Sequence, residues 1–244
     1  MTALLKVDGL KKSFGGLAAV SGISFAVEPG EIFGLIGPNG SGKTTTLNLI
    51  AGSLIADGGN IRLQGKDLTR LSNASRVRAR VNRTFQLVRI LPSMTVFENV
   101  RAGALFGAEP LSMSEANRKT HALLEYFGIA DKASLTGLQL TYIDQKRAEL
   151  ARAWATGPRI LLLDEWLSGL NPTELHEGIA VVKQLAAEGA GIVLVEHVMS
   201  AVRALCERCL VMNAGRQISA GETETVLQDP AVKDAYLGRG HDRS

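Results

Sequence analysis

The stretch Gly37-Pro38-Asn39-Gly40-Ser41-Gly42-Lys43-Thr44-Thr45 constrains this chain more than any other. The apolar run Ile32-Phe33-Gly34-Leu35-Ile36 before it predicts a buried strand, and Thr46-Leu47-Asn48-Leu49-Ile50-Ala51 after it predicts a helix. A G-x-x-x-x-G-K-T loop between strand and helix is a phosphate cradle. Its glycines let backbone N–H groups converge on an anion without Cβ clashes, and the helix N-terminus adds partial positive charge. Lys43 is placed to reach the β- and γ-phosphates, and the Thr44 hydroxyl to ligate Mg²⁺. The loop therefore predicts a nucleoside triphosphate site.

At 244 residues and 45% hydrophobic, the chain suits one domain, or one domain with a subdomain inserted. No stretch approaches the apolar length of a membrane span, and the N-terminus lacks the basic-then-apolar pattern of a signal peptide, so a cytosolic protein is expected. A net charge of +3 is too small to imply nucleic acid as partner. The charge is uneven, however. Between Asp67 and Glu98 no acidic residue occurs, while Arg70, Arg76, Arg78, Arg80, Arg83 and Arg89 do. That patch is either a contact surface for an acidic partner or nucleic acid, or a solvated helix face. Cys206-Glu207-Arg208-Cys209 has redox spacing, but a strand-like run begins at its second cysteine and four zinc ligands are not at hand.

Along the chain, Leu4 to Val7 and Ala19 to Val27 predict antiparallel strands that lead into the strand before the loop. A strand at Asn60 to Leu63, a helix around 72–80 and a strand from Val81 to Phe85, ending at Gln86, follow. Residues 93–155 then change to helical windows: Val96 to Leu105, Ser114 to Phe127 and Thr141 to Trp154. From Pro158 the α/β rhythm resumes, with strands Ile160 to Leu163 and Gly191 to Val195 and helices Glu174 to Leu185 and Val198 to Leu205. Strands Leu210 to Met212 and Gln217 to Ser219 precede two short C-terminal helices and a polar tail, Gly238 to Ser244, expected to be disordered.

Asp164-Glu165 closes the strand Ile160 to Leu163. Ligands of an open parallel sheet sit at the carboxyl ends of its strands, so both carboxylates should face the crevice of the phosphate loop. Asp164 would hold Mg²⁺ through water, and Glu165 would orient and deprotonate the attacking water. Gln86 and His197 also stand at strand carboxyl ends, the first able to touch Mg²⁺ or the water, the second the γ-phosphate. Phe14, beside Gly15-Gly16, is either a stacking platform for a base or a loop anchor.

Taken together, Gly37 to Thr45, Gln86, Leu140 to Arg152, Leu161 to Glu165, Ser168-Gly169-Leu170-Asn171 and His197 occur in the order found in ATP-binding-cassette ATPases, and the chain resembles that family over nearly its whole length. Arg83-Thr84-Phe85-Gln86, Met94 to Val100, Gly169 to Glu174, Met212 to Arg216, Asp229-Pro230 and Ala235 to Gly238 resemble the branched-chain amino-acid importer subgroup. The resemblance implies an α/β fold with a RecA-like P-loop NTPase core, an N-terminal antiparallel β subdomain and an inserted α-helical subdomain. Residues 1–86 and 156–221 would form the core, 87–155 the helical signature subdomain, and 222–244 a C-terminal extension.

Carried over residue by residue, it makes Phe14 the adenine-stacking aromatic and Gly37 to Thr45 the phosphate loop. Gln86 becomes the glutamine that meets Mg²⁺ and the membrane subunit, Asp164 and Glu165 the metal and base positions, and His197 the switch histidine. ATP and Mg²⁺ are the implied ligands. The implied partners are a second cassette, two permease subunits and, indirectly, a solute-binding protein, with no nucleic acid. The implied place is the cytoplasmic face of the inner membrane. Cargo other than branched-chain amino acids (urea, amides, aromatic acids, a lipid) fits the same cassette. A soluble cassette acting on nucleic acid fits less well, because such proteins usually carry two cassettes or a long coiled coil.

Two departures stand out. The signature, Leu-Ser-Tyr-Gly-Gln in this subgroup, reads Leu140-Thr141-Tyr142-Ile143-Asp144. Thr141 keeps the hydroxyl that would bind the partner's nucleotide. Ile143 adds a β-branched side chain, and Asp144 a charge worth roughly 4 kcal/mol of repulsion at ~4 Å and an effective dielectric of ~20. An asymmetric pair, a heterodimer with an intact signature on the other cassette, is expected; the alternative is a symmetric pair, in which Ile143 and Asp144 are damaging substitutions. Trp166 replaces the usual proline after the glutamate and is expected to alter the loop that follows.

Overall fold

The computed structural model describes residues 3–85, 87–109 and 111–237. Gln86 and the tail from Gly238 to Ser244 lie outside the described residues. The chain opens with strands β1 (Leu5–Phe14), β2 (Leu17–Val27) and β3 (Ile32–Ile36), then helix α1 (Lys43–Ala51). Next come β4 (Gly58–Leu63), β5 (Lys66–Asp67), α2 (Asn73–Arg78) and β6 (Val81–Arg83). Helices α3 (Val96–Leu105), α4 (Met113–Tyr126) and α5 (Tyr142–Ala155) form the inserted block. The remainder is β7 (Ile160–Asp164), α6 (Pro172–Ala187), β8 (Gly191–Val195), α7 (Met199–Leu205), β9 (Arg208–Asn213), β10 (Arg216–Glu222), α8 (Thr223–Gln228) and α9 (Pro230–Leu237).

Two sheets result. An antiparallel one runs β2-β1-β4-β5, and a six-stranded one runs β10-β9-β3-β8-β7-β6. In the latter, β9, β3, β8, β7 and β6 pair in parallel, and β10 is the antiparallel edge. Every residue of β3, β7 and β8 is buried, as strands covered on both faces must be. Their alternating side chains split the core in two. Phe33, Leu35, Leu162 and Val193 pack toward α1 and the antiparallel sheet. Ile36, Leu161, Leu163 and Leu194 pack toward the inserted helices, α6 and α7. The α/β architecture with an antiparallel subdomain and helical insertion is the one read from the sequence.

Differences are local. β6 ends at Arg83, not Phe85, although Thr84 N still donates to Leu162 O at 2.9 Å. Helix α4 starts at Met113, not Ser114, because Ser112 and Glu115 form a reciprocal cap. Of the six arginines, two are buried and engaged internally. Arg76 donates to Leu49 O, to Ile50 O at 2.6 Å and to Thr69 O at 2.9 Å, so it caps the carbonyl end of α1. Burial lowers it to about 10, which leaves it charged at neutral pH. Arg83 pairs with Asp164. The patch is therefore narrower than the sequence suggests.

Removing the guanidinium of Arg76 takes the side-chain donor from Ile50 O and one of two donors from Leu49 O, which keeps Gly52 N, at the end of the helix that carries the phosphate loop. Arg76→Met should lower unfolding free energy by about 1–3 kcal/mol in urea titration; a change under about 0.5 kcal/mol contradicts this assignment.

Cys206 and Cys209 are free, buried thiols held above their ordinary range by burial. They pack on Gly34, where an added Cβ would lie 2.9 Å from Cys209 Cβ and 3.3 Å from Cys206 Sγ. Among the described residues no cluster of three metal-ligating side chains occurs, and no helix is long and apolar enough to cross a membrane.

Candidate functional site

Strand β3 delivers the chain into the loop at Gly37, and α1 begins at Lys43. Gly37 (φ +144°) and Gly42 (φ +103°) could not be other residues without movement. A Cβ on Gly37 would lie 2.1 Å from Met212 O, and one on Gly42 would lie 2.3 Å from Ala19 O. The turn between β9 and β10 clamps the loop: Gly215 N donates to Ser41 O at 3.0 Å, and Gly215 O accepts from Ser21 N at 2.7 Å. The first turn of α1 carries no acidic side chain, so its positive end stays open to an anion.

Residues Asn39 to Thr45, with Ala19, Glu165 and His197, line a cleft of about 670 Å³. Lys43 Nζ donates to Gly37 O (2.8 Å) and Pro38 O (2.9 Å), bracing the loop from within. Burial lowers the Lys43 ammonium, while the Glu165 and Asp164 carboxylates pull it back up. Opposite, Asp164 is buried at the end of β7. Its Oδ2 accepts from Arg83 Nη2 at 2.9 Å, whereas its buried Oδ1 has no hydrogen-bond partner among the described residues. Burial pushes this carboxyl up and Arg83 pulls it down. An orphaned, buried carboxylate oxygen at the end of β7 is a donor of the hard-oxygen kind that Mg²⁺ prefers.

Glu165 takes a left-handed backbone conformation, φ +52°, rare for a side-chain-bearing residue. This kink turns its carboxylate into the cleft. There His197 Nε2 lies 2.6 Å from Glu165 Oε1, a hydrogen bond in which the carboxylate accepts. The structure thus brings together the loop, Glu165 and His197, with Asp164 behind them.

Phe14 stands exposed at the tip of the β1–β2 hairpin, turned by Gly15 and Gly16 at positive φ, with Lys12 Nζ 5.5 Å from its ring centroid. It is not among the cleft-lining residues. Thr141 is likewise apart from the cleft, as the cap of α5. Asp144 differs from expectation. Its carboxylate is buried and turned inward, accepting from the Thr141 hydroxyl at 2.6 Å, with Lys132 Nζ 3.8 Å away. The repulsion that Asp144 exerts outward is therefore smaller than an outward-facing carboxylate would give.

Sequence reasoning did not foresee a buried polar network behind Glu165. Lys146 of α5 donates to Trp166 O (2.7 Å), Ser168 O (2.8 Å) and Glu165 O (3.4 Å). Trp166 Nε1 donates back to Lys146 O at 3.2 Å. Buried Glu196 accepts from Leu167 N (2.6 Å) and His197 N (3.3 Å). The only advance signal was a Trp following the two acids.

A phosphate loop at a strand–helix junction of a parallel sheet, faced by an acidic pair and a histidine, defines a P-loop nucleotide-hydrolysing protein. The family model described as ABC transporter matches residues 20–168. The chain is 36% identical to the high-affinity branched-chain amino acid transport ATP-binding protein BraF of Pseudomonas aeruginosa, covering 96% of this chain and 98% of that protein. It is 33% identical to the lipopolysaccharide export system ATP-binding protein LptB of Haemophilus influenzae, over 97% and 98%. Among solved structures, an ATP-binding cassette of an ABC transporter in its ADP conformation superposes with a TM-score of 0.90 at 30% identity, covering 98% of this chain and all of that one. This chain belongs to the ABC transporter family, as one of its nucleotide-binding ATPase cassettes.

Proposed function

We propose that this chain is the ATP-hydrolysing subunit of an importer for branched-chain amino acids or related solutes. It would work on the cytoplasmic face of the inner membrane, against two permease subunits fed by a solute-binding protein. The 2.6 Å contact between Glu165 and His197 at the mouth of the phosphate-loop cleft is the observation that carries the hydrolytic reading. Backbone N–H groups of Gly40 to Thr45 and the Lys43 ammonium bind the phosphates. Phe14 stacks on the adenine. Thr44, Asp164 and Gln86 would hold Mg²⁺, which when bound offsets charge on the β- and γ-phosphates. Glu165 takes the proton of the attacking water, and His197 fixes the carboxylate and the γ-phosphate in line.

The solute rests on the likeness to BraF; the likeness to LptB favours lipid cargo as the second reading. Detergent extraction of the tagged chain from membranes separates the two. Co-purification of a permease pair that transports leucine in vesicles supports the first, and a pair that moves only lipid overturns it.

We further propose an asymmetric pair, each ATP lying between one phosphate loop and the other cassette's signature. The half-buried Ile143 and the inward carboxylate of Asp144, which uses up the Thr141 hydroxyl, both support a weakened signature on this chain. In the assembled complex, Glu165→Gln should cost at least tenfold more turnover than the same change in the partner's base. Equal losses remove the asymmetry, as would a large activation by I143G/D144Q.

A further inference from the structure

Strained residues persist only where their surroundings over-determine them. Glu165 has that strain, and the turn after it has one internal bond, Ser168 N to Glu165 O at 3.2 Å. The holding groups come from elsewhere. Lys146 is 2% exposed, and all three of its ammonium donors go to carbonyls of this one turn. A buried cation so placed would be costly unless each donor were matched. Trp166, 2% exposed, returns a bond from its indole to the backbone of Lys146 itself. Gly178 of α6 leaves the room: a Cβ there would sit 2.6 Å from Leu167 Cδ2 and 3.2 Å from Trp166 Cζ3. From the other side, the Glu196 carboxylate bonds the backbone N–H groups of Leu167 and of His197, so both partners of the Glu165–His197 contact hang from one frame.

We infer that Lys146 is a positioning residue that, with Trp166 and Glu196, locks the turn 165–168 onto helix α5, so that Glu165 and the signature segment at the start of α5 are displaced only together. Lys146 lies one helical turn beyond exposed Tyr142, and its Nζ sits 4.8 Å from that ring's centroid. Whatever shifts Thr141 and Tyr142 is thereby transmitted through one side chain to the backbone of the base. Two ATP sites are joined within a single chain: the one that uses its Glu165 and the one that its signature meets. Trp166, where a proline would offer neither donor nor bulk, is part of the same device. The inference rests on the proposed reading of Glu165 as the base.

The test uses the assembled transporter complex and compares Lys146→Met, Lys146→Arg, Trp166→Phe and Glu165→Gln. Lys146→Met keeps the apolar stem and deletes the donors. It should lower kcat at least tenfold while the Kd for ATP, read with a fluorescent analogue, stays within twofold. Lys146→Arg, which restores donors, should recover most of the loss. Trp166→Phe keeps the ring packing and removes one bond, and should cost two- to fivefold in kcat. In the isolated chain carrying Trp154→Phe, Trp166 is the sole indole, and its emission should shift on MgATP binding with Lys146 intact but not with Lys146→Met. If Lys146→Met turns over within twofold of wild type, or loses kcat and ATP affinity together with no Arg recovery, the lock is refuted. Should Lys146→Met not fold, the Trp166→Phe rate decides: a wild-type value overturns the inference. If Glu165→Gln itself keeps full turnover, the reading of the base fails instead, and the two failures are told apart.

Discussion

Glu165→Gln should leave MgATP bound and turnover all but gone. The substitution keeps side-chain length and one acceptor oxygen, so the phosphate loop is untouched and His197 retains a partner at the 2.6 Å position. It removes the carboxylate that, in the proposed mechanism, accepts the proton of the attacking water. A positioned base contributes about 10²–10⁴-fold, so kcat should fall at least 100-fold while the Kd for ATP changes by less than about threefold. Phosphate release and equilibrium nucleotide binding, measured on the same preparation, check both halves. Retention of more than a tenth of the wild-type rate would show that another group takes the proton.

Lys43→Met should instead abolish binding. Lys43 is 5% exposed, with its ammonium between two loop carbonyls and the Asp164–Glu165 carboxylates. It is the cation placed to oppose the phosphates from inside the cradle, and charge-assisted bonds of this kind contribute about 1.5–3 kcal/mol each. Two such bonds correspond to a loss of affinity of at least 100-fold. The Met stem fills the same space, so thermal unfolding should shift by only a few degrees. The contrast is diagnostic: one variant binds and does not turn over, the other does not bind.

Much of this was legible from the residues alone. Gly37 to Thr45 announced itself because a phosphate cradle is written in contiguous residues, and the strand and helix on either side fix its geometry. β3, β7 and β8 were readable as short all-apolar runs, and helix α5 from its cap Thr141. What could not be read joins residues far apart in sequence. Lys146 and Trp166 become neighbours only when α5 folds against the turn that follows β7. Arg76 looked like one charge among six until α1 placed its last carbonyls beside it. Asp144 was expected to project toward an anion, but its carboxylate turns inward to Thr141 and Lys132, a choice made by local hydrogen bonding that sequence order does not reveal. Glu165 gives no hint in sequence of its left-handed backbone, yet that kink aims the carboxylate.

The clamp on the phosphate loop has a practical corollary for anyone labelling or fusing this protein. Gly37 rests on the main-chain oxygen of Met212, and Ser41 is held by the main chain of Gly215. Neither contact involves a side chain of the β9–β10 turn. The turn from Asn213 to Arg216 therefore serves the nucleotide through its path alone. A surface hairpin that reads as a convenient insertion point is in effect the back wall of the ATP site, and an extra residue there would misplace the cradle without altering any group that touches the ligand.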